Sequence, residues 1–338
     1  TALGTYNIKD VLTATTVTFS GLSLTDAQAG NYTLTMQIPA SATITPKALT
    51  VTGLSSPASK VYDGTINAVV IGTKALLDPE AVGAGSTSDG KPYLGDAVTV
   101  SGTASGTYDS KHITATTVTF NGLTLTNTQA SNYTLTSPTT SATITKKPIT
   151  VTAVSHERSY NGTTTVTGAT PTNSGMASGD TIANFSEAFD NRNVGDNKTL
   201  TPSGTVTDGN SGANYSYTFN SVSTGRITAY PITVTAITNT KEYDGTLTAS
   251  ALPTITSGTI QTGDTAAFTE VYSDKNVGGT KTLVPAGAVN DSNGGLNYTV
   301  TKINNTTGTI TVKPITVTAV FNTKVYDGTQ SALAIRTH

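Results

Sequence analysis

The chain contains no cysteine, which excludes disulfides, thiolate nucleophiles and cysteine-ligated zinc. A small secreted domain built this way depends on its hydrophobic core alone. Charge is also scarce: 12% of residues are Asp, Glu, Lys or Arg, against ~25% in an average soluble protein. A net charge of −2 offers no basic field for nucleic acid or acidic lipid. No run of ~18 apolar residues occurs, so no membrane-spanning helix is expected, and the first residues lack a signal-peptide pattern. There is no tryptophan. His112, His156 and His338 occur singly, without recurring partners, so their spacing supports neither zinc binding nor histidine catalysis.

What the chain does have is repetition. Lys60-Val61-Tyr62-Asp63-Gly64-Thr65 returns as Arg158-Ser159-Tyr160-Asn161-Gly162-Thr163, as Lys241-Glu242-Tyr243-Asp244-Gly245-Thr246 and as Lys324-Val325-Tyr326-Asp327-Gly328-Thr329. The four tyrosines stand 98, 83 and 83 residues apart. That spacing exceeds the ~20–50 residues of solenoid repeats and fits a row of small domains.

Other landmarks hold the same register. Each repeat opens on an alternating strand: Leu49, Val51 and Gly53; Ile149, Val151 and Ala153; Ile232, Val234 and Ala236; Ile315, Val317 and Ala319. Threonines fill the intervening positions, the period-2 pattern of a half-buried strand. A Gly-Asp pair follows at Asp96, Asp180 and Asp264, then an aromatic run from Tyr108, Phe189 and Tyr272. An Asn-Tyr step (Tyr32, Tyr133, Tyr215, Tyr298) and an Ile-Thr strand (Ile44, Ile144, Ile227, Ile310) close the repeat. The expected organisation is 1–46, the back part of a repeat; 47–147, a repeat with an enlarged loop around Lys74–Leu94; 148–230 and 231–313, two further repeats; and 314–338, the front part of another. By this register the chain is a window on a longer array.

No convincing helix is signalled. The strand and turn pattern predicts an all-β chain, a tandem array of small Ig-like β-sandwich modules (alternatively β-grasp-like modules) forming an extended rod. Each module is expected to have its own core, and three of them with two parts should exceed ~100 Å in length. Thr16–Leu24 nearly repeats the pattern of Thr116–Leu125. At the junctions the last strand of one repeat runs into the first of the next without a Gly/Ser linker, with Pro148, Pro231 and Pro314 stiffening the joint. Ala48 replaces that proline at the first junction, marking a looser joint.

Chemistry is hard to find among these motifs. The Tyr-Asp-Gly motif predicts a buried tyrosine, a carboxylate bonding its own turn, and a glycine at positive φ in a hairpin. Tyr160 and Tyr243 are expected to be buried alike. Asn161 suits this view, since Asn replaces Asp in a turn but not as a general base; a carbohydrate-binding tyrosine is the alternative. Asp208-Gly209-Asn210 and Asp291-Ser292-Asn293-Gly294-Gly295 have a calcium-loop flavour but lack its closing acidic residue, so turns are expected. The Gly/Ser-rich loops lack a phosphate loop's Gly-Lys-Ser/Thr ending. Glu187 and Glu270 are equivalent, whereas the first repeat has Gly106 there, so intramolecular isopeptide crosslinks are not expected. Catalytic, cofactor-binding and metal-binding residues are all expected to be none.

These repeats resemble the YDG/MBG repeats of large bacterial surface proteins. The resemblance lies in the Tyr-Asp-Gly turn, the Asp/Ser-Lys-Asn-Val-Gly run, the Asn-Tyr-Thr-Leu step and the Thr-Ile-Thr-Lys-Lys-Pro-Ile-Thr-Val junction, and it covers essentially the whole chain. Departures occur at Asn161, Tyr230 and Ile113. The resemblance implies a non-enzymatic, extracellular stalk or fibre shaft of a bacterial adhesin or matrix protein. The expected partners are neighbouring repeats, with other copies in a fibre as a further case, and neither nucleic acid nor membrane. The alternative is a glycan- or protein-binding module using loops such as Lys74–Leu94.

Overall fold

A computed structural model describes residues 2–332. Among them the chain is all-β, and its only helices are single 3-10 turns at Ala29–Asn31 and Ala130–Asn132. Contacts divide it into two compact units. The first runs to Val151 and adds Asn173–Phe185 and Gly204–Thr218; the second comprises Thr152–Thr172, Ser186–Ser203 and the chain from Phe219.

Each complete repeat has a three-stranded and a four-stranded sheet, and the first two repeats add a two-stranded one, Ser59–Val61 with Thr143–Thr145 and Thr181–Ile182 with Val206–Thr207. In the third repeat the opening strand Tyr230–Thr235 is central, antiparallel to Thr254–Ser257 and parallel to Tyr298–Ile303, with Tyr230 opposite Tyr298. Its alternation has a direct cause: Ile232 and Val234 are buried while Thr233 and Thr235 lie on the other face. The four-stranded sheet runs Thr240–Glu242, Asn305–Thr311, Gly278–Asn290, Thr265–Tyr272. The second repeat has the same order, from Glu157–Ser159 through Val222–Thr228 and Gly195–Ser203 to Ser186–Phe189.

At the two junctions between complete repeats a single residue separates the strands. Thr143–Thr145 gives way to Lys147–Thr152 across Lys146, and Val222–Thr228 to Tyr230–Thr235 across Ala229. The chain changes sheets at that residue rather than continuing as one strand.

The expectation of a separate core in each repeat is corrected. In the first unit Tyr62, Tyr108, Val118, Phe120 and Ile144 of one repeat share a core with Ile149, Val151, Phe185, Val206 and Tyr215 of the next. In the second unit Tyr160, Phe189, Leu200 and Ile227 are joined by Ile232, Val234, Phe268 and Tyr298. A smaller cluster holds Ala236, Tyr272, Leu283 and Ile310. The three-stranded and four-stranded sheets of the second repeat thus contribute to different cores. A sheet of three or four short strands has too little apolar surface to close a core alone.

Three local expectations also change. The opening strand at Ile315, Val317 and Ala319 is not formed, and these residues are exposed; the strands that flank its counterpart Tyr230–Thr235 come from later positions of the same repeat. Residues 333–338 of that part lie outside the described residues. The strand at Thr16–Ser20, paired with Leu3–Tyr6, is half as long as Thr117–Thr126, which pairs with Thr99–Tyr108. The enlarged loop starts later than expected, since Ile71–Leu76 is a strand paired with the opening strand Lys47–Ser55.

Candidate functional site: the tyrosine–aspartate joint between repeats

The Tyr-Asp-Gly turn is built locally. Lys60 Nζ donates to Asp63 Oδ1 at 2.8 Å, to the Thr65 carbonyl at 2.8 Å and to the Asn67 carbonyl at 3.0 Å. Asp63 Oδ1 also accepts from the Thr65 amide and hydroxyl, each at 2.9 Å. Burial opposes its ionisation, yet Lys60 and Thr65 hold the Asp63 carboxyl below the usual range. Lys241 with Asp244 and Lys324 with Asp327 repeat the bonds to the aspartate and to the threonine carbonyl, and each aspartate again accepts from the threonine amide. In the second repeat Arg158 bonds the Thr163 carbonyl and Asn161 accepts from Thr163. Gly64, Gly162, Gly245 and Gly328 all have φ between 75° and 81°, where a side chain is disfavoured. The turn is not a hairpin, because the strands on either side belong to different sheets: Ser59–Val61 pairs with Thr143–Thr145, and Asn67–Ala68 with Thr99–Tyr108.

The tyrosine reaches into the following repeat. Tyr62 donates to Asp180 Oδ1 at 3.3 Å, while Tyr215 donates to Asp180 Oδ2 at 2.5 Å. The two rings meet edge to face, 5.6 Å apart. In the second unit Tyr160 and Tyr298 each donate to Asp264 Oδ2 at 2.8 Å, with rings 5.5 Å apart, and Arg192 holds Oδ1 at 2.8 Å. The Gly-Asp pair and the Asn-Tyr step, read in the sequence only as landmarks, are therefore the receiving half of a joint. Burial together with the nearby carboxylate pushes Tyr62 and Tyr160 up to about 12, and raises Tyr215 and Tyr298 as well.

A second bond pair runs beside the first. Asn214 Oδ1 accepts from the Ile113 amide at 3.1 Å, and Asn297 Oδ1 from the Val194 amide at 2.9 Å, each tying a repeat to the aromatic run of the one before. Both asparagines are fully buried. Asp208 and Asp291 place them. Asp291 accepts from the amides of Asn293 at 2.7 Å, Gly295 at 2.8 Å and Asn297 at 2.9 Å, and Asp208 does the same for Asn210, Gly212 and Asn214. Burial works against their charge, but these amides hold both carboxyls below the ordinary range. The loops with a calcium flavour are thus carboxylate-anchored turns. The signal was present in the sequence as Asp and Asn held at the same separation in two repeats, 208 to 214 and 291 to 297.

The remaining candidates have structural partners. His112 Nδ1 meets Asn214 Nδ2 at 2.8 Å, and His156 lies beside Phe189; His338 lies outside the described residues. Glu187 and Glu270 are buried and accept from the Val154 and Ile237 amides, both at 2.9 Å. The inserted loop is tethered: buried Lys47 pairs with Glu80 at 2.6 Å and Asp89 at 2.9 Å and lies over the Tyr93 ring. Tyr243 departs from expectation, being 36% exposed where Tyr160 is 1% exposed.

Residues 45–142 and 145–224 match the YDG domain, as two consecutive copies. No curated protein and no solved structure matches the chain.

Proposed function

We propose, for a chain that belongs to the YDG domain family, that it serves as a non-enzymatic structural array, the stalk or fibre shaft of a bacterial surface adhesin or matrix protein displayed outside the cell. One observation supports this above the rest: each large core is closed by side chains from two successive repeats, joined through a buried tyrosine–aspartate pair. Such a joint couples neighbours along the chain, as a shaft requires, and its tyrosines, aspartates and asparagines are consumed in holding repeats together. The partners of each repeat are in the first place its neighbours.

Antibodies against residues 47–230 test the placement directly. Labelling of intact source cells is expected; labelling that requires permeabilisation overturns it. A glycan- or protein-array screen of the folded chain tests the structural role. Specific binding at micromolar concentration or below would move the function to an adhesive module.

A further inference from the structure

The turn between Ser186–Phe189 and Gly195–Ser203 brings together four groups that the joint does not account for. Lys198 Nζ donates to Asn191 Oδ1 at 2.6 Å and lies 3.2 Å from Asp190 Oδ1. The other carboxylate oxygen, Asp190 Oδ2, accepts from Asn191 Nδ2 at 3.2 Å. The Asn193 amide donates to Asn191 Oδ1 at 3.0 Å. Amine, carboxamide and carboxylate thus form a closed ring of contacts, with a backbone amide on the carboxamide oxygen. The lysine side chain is only 7% exposed, so its amine is largely withdrawn from water. The turn is also held from outside. Arg192 bonds Asp264 Oδ1 at 2.8 Å and the Asp291 carbonyl at 3.1 Å, while Asn297 donates to Asn193 Oδ1 at 3.2 Å. Fixing an electrophile against its nucleophile raises the effective concentration of an intramolecular reaction.

Of the three complete repeats, only the second has the full set. In the third, Lys281 Nζ meets Asp274 Oδ1 at 2.7 Å and the Asn276 amide donates to the same oxygen at 2.9 Å, but Ser273 stands where the second repeat has Asp190. Lys281 and the Asn276 amide hold the Asp274 carboxyl below its ordinary range, and an ionised carboxylate resists attack by an amine. In the first repeat the Asp109 amide bonds the Thr117 carbonyl as the Asp190 amide bonds that of Thr199, which places Thr116 where Lys198 stands. The Thr116 hydroxyl donates to Asp109 Oδ2 at 2.9 Å, and no amine is present. The second repeat alone sets its lysine on a carbonyl that carries a leaving group.

We infer that Lys198 and Asn191 join through an intramolecular isopeptide bond, with Asp190 carrying a proton between them. Asp190 Oδ1 takes a proton from the Nζ ammonium, and the freed amine attacks Asn191 Cγ. The Nζ–Cγ bond forms as the carbonyl electron pair moves onto Oδ1, where the Asn193 amide donates to the developing charge. As the carbonyl re-forms, the Cγ–Nδ2 bond breaks and Nδ2 leaves as ammonia with the proton held by Asp190. Nζ yields its second proton to that ammonia, so the products are an amide and an ammonium ion, and Asp190 is again a carboxylate. The bond fastens the turn that meets the following repeat to a strand of its own sheet. It replaces the expectation of no crosslinks, which rested on Glu187 and Glu270, and it holds whatever the array is used for.

Mass spectrometry of the intact 338-residue chain, with mapping of its proteolytic peptides, tests this. The wild-type chain should weigh about 17 Da less than its sequence, the mass of one ammonia, and should yield a linked peptide joining residues 191 and 198. Trypsin should fail to cut after Lys198. Two variants borrow residues that the other repeats carry in the same turn: Lys198→Thr, as at Thr116, and Asp190→Ser, as at Ser273. Both should keep the full sequence mass and give no linked peptide. A wild-type chain at its full sequence mass overturns the inference, and this result does not depend on how a variant folds. An ammonia loss that persists in Lys198→Thr overturns it equally, since ring closure at an Asn-Gly pair such as Asn121-Gly122 sheds ammonia without a lysine. A linked peptide in Asp190→Ser would overturn the proton transfer assigned to Asp190.

Discussion

The Tyr160 hydroxyl donates to Asp264 Oδ2 at 2.8 Å across 104 residues of sequence, from one repeat into the next. Tyr243 holds the same motif position with its ring partly in solvent. Tyr160→Ala should therefore cost roughly 3–5 kcal/mol, the usual result of emptying an aromatic site in a core. Tyr160→Phe, which removes only the donor to a buried carboxylate, should cost about 1.5–3 kcal/mol. Tyr243→Ala should cost under about 1 kcal/mol. Urea unfolding of the three variants checks this ordering, and equal losses for Tyr160→Ala and Tyr243→Ala would refute the inter-repeat joint.

Alkali should loosen the joints. Tyr62, Tyr133 and Tyr160 are pushed up to about 12 by burial and by their aspartate partners, against ~10 for a free phenol. Below ~10 both folded and unfolded chains keep these protons, and the stabilisation is complete. Between ~10 and ~12 the unfolded chain releases protons that the folded chain retains, so stability falls with rising pH. Phenolate absorbance and far-ultraviolet ellipticity followed together should show these tyrosines ionising as the sheets melt. Their ionisation near ~10 with the fold intact would contradict the geometry.

The asparagine tie and its anchor should differ in cost. Asn297→Ala leaves the Val194 amide without its acceptor, worth roughly 1–3 kcal/mol. Asp291→Ala should cost more, because three amides lose their acceptor and Asn297 loses its placement. The Asp291 contribution has an acid limit. Its carboxyl is held below the ordinary ~4, so the stabilisation is present above that value and lost as pH falls through the lowered one. Chemical unfolding at neutral and acid pH separates the two variants: the Asp291→Ala deficit should shrink in acid.

The motif glycines offer a test of close approach. Gly162 and Gly245 have φ of 79° and 77°, so alanine at either meets the left-handed penalty of about 1–2 kcal/mol. At Gly162 the new Cβ would also stand 3.0 Å from the Thr262 carbonyl oxygen of the next repeat, whereas at Gly245 nothing lies within 4 Å. Gly162→Ala should be the more destabilising of the two in thermal unfolding. Identical shifts would mean that the turn does not press on the following repeat.

Much of this architecture was legible in the sequence. The alternation at Ile149 and Val151 or Ile232 and Val234 marked buried strands correctly, and the Asp-Gly and Asn-Gly pairs marked turns with positive φ. These are local properties, decided within a few residues. What repetition conceals is the partner's address. A tyrosine that meets the aspartate of its own repeat and one that meets the aspartate a period later produce the same recurring pattern. Only the fold distinguishes Tyr62 on Asp96 from Tyr62 on Asp180. The same ambiguity made Tyr160 and Tyr243 look alike, and hid the role of Asp208 and Asp291 in aiming an asparagine at a neighbour. Lys60, by contrast, could have been recognised: a cation three residues before the turn carboxylate recurs at Lys241 and Lys324.

The division of the second repeat between two compact units bears on how the molecule breaks. The chain passes from one unit to the other at 151/152, 172/173, 185/186, 203/204 and 218/219, so neither unit is a continuous stretch that a protease could release. A nick in the exposed turn around Gly168 would sever the backbone yet leave the fragments woven through the same sheets. Such a cut would appear on a denaturing gel as two bands and on a native gel as one, and the clipped molecule would survive as a non-covalent whole.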